Sequence, residues 1–217
     1  MSIKNQKLFL VIGLTKMLNN KNWNLINKRL LDNNIIIIDN FFTEDTVNKL
    51  KDRIKHSKNF HNIYEGYKAI DYRKDNLSIN IAKKIEKNLL CLKDSFVRAW
   101  SFIYDNKCKG VDIHADPSVI NINTWLTKNE SVNNFNLNGL VIYPKKPPKH
   151  WTREQWNGNF DKTDLLKDVR PIHIGYKYNR AVFFDGSFFH KTNDVDMKEG
   201  DENKRISYTM LFGRNLE

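Results

Sequence analysis

Near residue 97 the hydrophobic period of this chain changes, and that change limits the folds open to it. Before it, apolar residues recur at helical spacing: Leu8, Ile12, Leu14, Met17, Leu18, Trp23, Ile26, Leu30 and Leu31 within residues 3–33, then Ile79, Ile81, Ile85, Leu89, Leu90 and Leu92 within 78–95. After it come short β-rich runs at 97–104, 119–126, 140–143, 181–184 and 206–212, separated by turn residues and one long loop. One strand is expected early, in Ile35-Ile36-Ile37-Ile38-Asp39. It leads to Thr43, a helix N-cap with Glu44 and Asp45 favourable in the first turn, and a helix to about Lys55. Helices first and strands afterwards predict an α+β domain whose β part is a sandwich or jelly roll. We expect an N-terminal helical extension over residues 1–34 and one compact domain over 35–217.

Composition narrows the class. The chain has 217 residues, 40% of them hydrophobic, which suits a single packed domain. Cys91 and Cys108 are its two cysteines; so few, in a chain where no cleavable signal is read, argue for a reducing compartment and against a disulfide scaffold, and neither belongs to a zinc-type pair. The apolar stretch at 8–14 is too short to span a bilayer, and no cleavable signal is read, so a soluble cytoplasmic protein is expected. The net charge of +11 comes mainly from lysines dispersed among many Asn and Ile residues. This reads as the bias of an AT-rich coding sequence, and a nucleic-acid partner is not favoured.

The chemistry lies in three segments. In Val111-Asp112-Ile113-His114-Ala115-Asp116 an extended backbone puts His114 and Asp116 on one side. His190 ends the run Phe183-Phe184-Asp185-Gly186-Ser187-Phe188-Phe189-His190. Two imidazoles and one carboxylate on one face of an ion leave positions open, an arrangement that suits non-haem Fe(II) oxygen chemistry. Zn²⁺ also binds such a set, so a zinc hydrolase and a non-catalytic metal-binding jelly roll stay open here. The third segment is Arg205-Ile206-Ser207-Tyr208-Thr209, where alternation puts Arg205 and Ser207 on one face. A guanidinium can hold a dicarboxylic acid's distal carboxylate through two parallel bonds, with the Ser207 hydroxyl as a third, which fits 2-oxoglutarate.

These segments occur in one order with Asp39-Asn40-Phe41-Phe42 and Gly139-Leu140-Val141-Ile142-Tyr143-Pro144. Together they resemble the Fe(II)/2-oxoglutarate-dependent dioxygenases, in particular the prolyl-hydroxylase-like branch, over roughly residues 35–214. The resemblance implies a double-stranded β-helix (jelly roll) with helices packed on its larger sheet and a metal centre of His114, Asp116 and His190. It makes Arg205 the 2-oxoglutarate anchor and gives Tyr104 a hydrogen bond to the co-substrate. It also turns Asn123 and Trp125 toward the pocket, in an Asn-x-Asn-x-Trp-Leu-Thr segment similar to that of bacterial and phage members. The implied activity couples oxidative decarboxylation of 2-oxoglutarate by dioxygen to hydroxylation of a C–H bond, with ascorbate as reductant. The implied substrate is a prolyl or other protein side chain, or a small metabolite. The stretch from His190 to Arg205 is longer than the family's, which leaves Lys204 and Arg214 as alternative anchors. Residues 144–175 are expected to be a mobile lid through which Trp151 and Trp156 touch the substrate.

Overall fold

Runs of β-branched and aromatic residues order into two main sheets and a two-stranded ribbon, seen in a computed structural model that describes residues 10–13, 20–32, 35–57, 62–72 and 75–213. In chain order the elements are β1 (Leu10–Gly13), α1 (Asn20–Leu31), β2 (Ile36–Asp39), α2 (Glu44–Lys55), β3 (Asn62–Tyr64), β4 (Tyr67–Asp71), α3 (Asn76–Asn88) and β5 (Phe96–Tyr104). There follow β6 (Lys107–Cys108), β7 (Ile120–Trp125), β8 (Leu140–Tyr143), α4 (Arg153–Asn157), α5 (Thr163–Leu166) and β9 (Ile172–Ile174). The last are β10 (Ala181–Phe184), β11 (Phe189–Thr192), β12 (Val195–Asp196) and β13 (Ile206–Phe212). A large sheet runs β1-β2-β10-β7-β13-β5-β4-β3, a small one β11-β8-β9, and β12 pairs with β6. Every pairing is antiparallel except β1 with β2.

Period-two alternation gives the large sheet two apolar faces. On the outer face Ile36, Ile38, Ala99, Ile122, Phe183 and Met210 pack against α1, α2 and α3 through Trp23, Ile26, Leu50, Ile54, Ile81 and Ile85. On the inner face Ile37, Tyr104, Trp125, Val182 and Phe184 meet Leu140, Ile142 and Ile174 of the small sheet. Side-chain caps fix two helix starts: Thr43 Oγ1 accepts from the Thr46 amide at 3.3 Å, and the Asp75 carboxylate accepts from Leu77 and Ser78 at 3.1 and 2.7 Å. Such a cap is worth about 1 kcal/mol. No helix among the described residues is long and apolar enough to cross a membrane.

The structure departs from the sequence reading at both the N-terminal helix and the long loop. The expected helix over residues 3–33 is α1 alone in its described part, because Leu10-Val11-Ile12-Gly13 pairs in parallel with Ile36–Asp39 and extends the large sheet. Residues 144–175 are not a bare loop: they hold α4, α5 and the edge strand β9. The Thr152–Gln155 capping box starts α4, and the Lys145 ammonium donates to the Leu165 carbonyl at 2.8 Å.

Trp156 is buried with Ala115, Leu166 and Phe189, and Trp151 packs at the rim of this cluster, its ring 6.1 Å from that of Phe189. Phe189 and His190 are neighbours in β11, so their side chains leave opposite faces of the small sheet. Trp156 therefore clads the outer face. Trp156→Ala is expected to cost about 3–5 kcal/mol of stability, read as a lower urea midpoint with metal affinity kept. An unchanged midpoint would show that the cluster is not packed as described.

Candidate metal centre

His114, Asp116 and His190 each offer a ligand atom, and these atoms lie within 4.8 Å of one another. Backbone pairing brings the two distant segments together: the His114 amide donates to the His190 carbonyl at 2.9 Å, and the His190 amide returns a bond of 2.8 Å. The Asp116 amide donates to the Gly186 carbonyl at 2.8 Å. A Cβ at residue 186 would stand 2.0 Å from Ser118 Oγ and 2.8 Å from both Asn121 Oδ1 and the Ser118 carbonyl oxygen, so any residue other than glycine would push these groups aside.

Hydrogen bonds set which atoms face the centre. His114 Nδ1 lies 2.7 Å from the Asp112 carbonyl and His190 Nδ1 lies 2.8 Å from the Phe188 carbonyl. A carbonyl only accepts, so each ring carries its proton on Nδ1 and keeps the Nε2 lone pair for a metal. His190 Nε2 is 3.4 Å from Asp116 Oδ2. Burial, helped by the neighbouring His190, pushes His114 down to about 4, which keeps the ring neutral and able to ligate near pH 7. Burial opposes the charge on Asp116, but the two histidines beside it and the hydrogen bond donated by the Asn121 amide outweigh it and hold the carboxyl below its usual range. Two neutral imidazoles and one ionised carboxylate fit a divalent ion.

A second polar group lies in the interior between the sheets. Arg205 is 1% exposed, and its Nε donates to the Asn138 carbonyl at 2.8 Å. Its guanidinium carbon sits 4.5 Å from the Tyr104 ring centre and 6.0 Å from that of Trp125. Its Nη1 finds no hydrogen-bond partner among the described residues, and neither does Trp125 Nε1 nor Asn123 Oδ1. Trp125 stacks on Tyr176 at 5.3 Å, while the Tyr104 hydroxyl is 3.2 Å from Thr192 Oγ1. Unmet donors on a buried cation are costly, and a carboxylate entering here would satisfy them.

The structure thus brings together His114, Asp116 and His190, and separately Arg205, Tyr104 and Trp125. Ser207 and Asn123 share the inner face of the large sheet, in register with Trp125 and Thr209 respectively. Lys204, weighed as an alternative anchor, reaches outward to Asp105 at 3.5 Å and Asp201 at 3.0 Å. Arg214, the other alternative, lies outside the described residues. The long stretch before Arg205 is taken up by β12 on β6 and a single turn at Asp201–Asn203, so it leaves β13 in register with β5 and β7. Trp151 and Trp156 sit in the outer cluster and not in the interior.

Sequence reasoning missed Asn121, whose Nδ2 donates to Asp116 Oδ2 at 2.7 Å while its Oδ1 accepts from Ser118 at 2.5 Å. The signal was present, since Asn121 shares strand parity with Asn123 and Trp125. Asn138 gave no comparable signal, because only the fold brings its carbonyl to Arg205.

No family model matches this chain, and no curated protein matches it. Among solved structures it is similar to the α-ketoglutarate-dependent non-haem epimerase SnoN of nogalamycin biosynthesis, in a complex with Fe³⁺, α-ketoglutarate and nogalamycin RO: TM-score 0.67, 10% identity, over 90% of this chain and 85% of that one. It is also similar to a Pseudomonas putida prolyl-4-hydroxylase, with TM-score 0.58 and 12% identity over 89% of this chain and 99% of that one. A third is HygX from Streptomyces hygroscopicus with nickel, 2-oxoglutarate and hygromycin B, with TM-score 0.56 and 11% identity over 88% and 87% of the two chains. At these identities the likeness is one of fold.

Proposed function

We propose that this chain is a non-haem Fe(II) enzyme that uses 2-oxoglutarate as co-substrate and hydroxylates a C–H bond, on a double-stranded β-helix with helices packed on the larger sheet. The observation that carries the reading is the buried Arg205 with an unmet Nη1, in the interior between the sheets, beside the unmet indole N–H of Trp125. A zinc hydrolase or a purely structural metal site has no use for a second, anion-seeking group there. A dicarboxylate whose other end ligates the metal does.

In this reading His114 and His190 hold Fe(II) through Nε2 and Asp116 supplies the negative charge, kept in place by Asn121. Bound Fe(II) would supply dioxygen activation, coupled to the decarboxylation of 2-oxoglutarate to succinate. Arg205 grips the distal carboxylate, Trp125 Nε1 donates beside it, and the Tyr104 ring backs the guanidinium. Val182, Phe184 and Ile142 wall the interior and exclude water, which strengthens each of these polar contacts.

The substrate is proposed to be a prolyl or other protein side chain, or a small metabolite, and the fold is shared with enzymes whose structures hold nogalamycin RO and hygromycin B as well as with a prolyl-4-hydroxylase. Anaerobic addition of Fe(II) and 2-oxoglutarate is expected to give a weak visible charge-transfer band, and air with ascorbate to release succinate. A protein that binds Fe(II) tightly but shows neither response to 2-oxoglutarate would sink the reading.

A further inference from the structure

Among the described residues two lysine or arginine side chains are buried, Arg205 at 1% and Lys162 at 5% exposure. The less buried Lys177 and Lys146 meet carboxylates, Asp39 at 2.7 Å and Asp185 at 2.6 Å, while the half-buried Lys145 donates to the Leu165 carbonyl. Lys162 donates to two neutral carbonyls, those of Gly158 at 2.8 Å and Phe160 at 2.9 Å. An ammonium has three N–H bonds, so one donor and the whole charge remain after those two contacts. Taking an ammonium out of water without a carboxylate in contact is expensive: burial pushes Lys162 below the usual lysine value, and the more distant charges of Asp112 and Asp161 offset this only in part.

Lys162 lines an open cavity of about 420 Å³, with Ile113, Tyr143, Phe160 and Leu166 as its apolar walls. The volume falls in the range of roughly 300–1,000 Å³ typical of small-molecule sites. Asp112, Asp161 and Lys167 also border it and leave one net negative charge among them, but all three are exposed, so water screens them far more than it screens Lys162. Ile113 and Tyr143 belong to the cluster on the outer face of the small sheet, which sets this cavity apart from the interior that holds Arg205.

We infer that this cavity is a second ligand site, for a compact molecule with an aromatic or aliphatic body and one anionic group that pairs with Lys162. The apolar walls take the body, and the third N–H takes the anion. Asp112 lines the cavity and its carbonyl holds the Nδ1 of His114, so an occupant would also touch the segment that orients that ring. The inference rests on this cavity alone and stands apart from the co-substrate reading.

The test uses the full-length ¹⁵N-labelled protein and two probes of one shape, benzoate and uncharged benzamide. Benzoate is expected to shift the amides of residues 158–163 saturably and to bind about tenfold more tightly than benzamide, a difference of about 1.4 kcal/mol. Lys162→Gln keeps a donor for the two carbonyls but removes the charge, and it should lose most of that preference. Equal binding of the two probes, no saturable binding of benzoate, or shifts confined to the Trp125 indole N–H would overturn the inference. Should Lys162→Gln not fold, the benzoate-to-benzamide ratio in the unaltered protein decides alone.

Discussion

Replacing Asp116 with alanine is expected to abolish succinate formation and to remove the thermal stabilisation that Fe(II) or Co(II) gives the protein. The carboxylate is the only anionic member of the cluster, so its loss leaves two neutral imidazoles facing a divalent charge. Inside the protein that charge loses its compensation where water cannot replace it. Changes to groups that merely support a ligand cost about 10- to 100-fold in metal affinity, and removal of the charged ligand itself should exceed that. A metal that binds the folded state stabilises it in proportion to the logarithm of its concentration over Kd, so the loss is visible in melting curves without any turnover assay. The metal-free variant should melt close to the parent, since a buried charge and the hydrogen bond from Asn121 disappear together. Retention of the full metal-dependent shift by Asp116→Ala would remove this residue from the site.

How much of this could be read in advance depends on whether the signal was local. β7 and β13 were legible because each alternates within its own few residues, and β5 and β10 because each is a short run rich in β-branched or aromatic residues. The three ligand candidates were legible because His114 and Asp116 stand two apart in an extended segment, and because His190 follows an aromatic run. β1 was not, since Leu-Val-Ile fits a helical pattern as well as a strand, and only pairing with β2, remote in sequence, decides between them. β11 was also missed: Phe189-His190-Lys191-Thr192 is too short to show a period, and its strand character comes from β8. The same limit hid α4 and α5, with five and four residues. For Trp151 and Trp156 the residue type is the same whether a tryptophan packs or binds. The face is set by the pairing of Phe189 with Tyr143, which no local pattern encodes.

Arg205→Met is expected to uncouple binding from stability. Arg205 is a buried cation in the inter-sheet interior, held by one hydrogen bond to the Asn138 carbonyl and by the rings of Tyr104 and Trp125. No carboxylate among the described residues pairs with it, so the protein bears its desolvation without a counter-ion. Methionine keeps the apolar contact with both rings, removes the buried charge and leaves the Asn138 carbonyl short of one donor. Replacing buried ionic groups with apolar ones of similar size is often neutral or stabilising, so the melting temperature should hold or rise. The 2-oxoglutarate requirement should move the other way: losing a desolvated guanidinium–carboxylate contact costs about 2–5 kcal/mol, roughly 30- to 5,000-fold in the concentration needed. Arg214→Ala, tested beside it, should change that concentration little. An Arg205→Met protein that melts lower yet needs no more 2-oxoglutarate would make Arg205 a structural residue, and the search for the anchor would then move to Arg214.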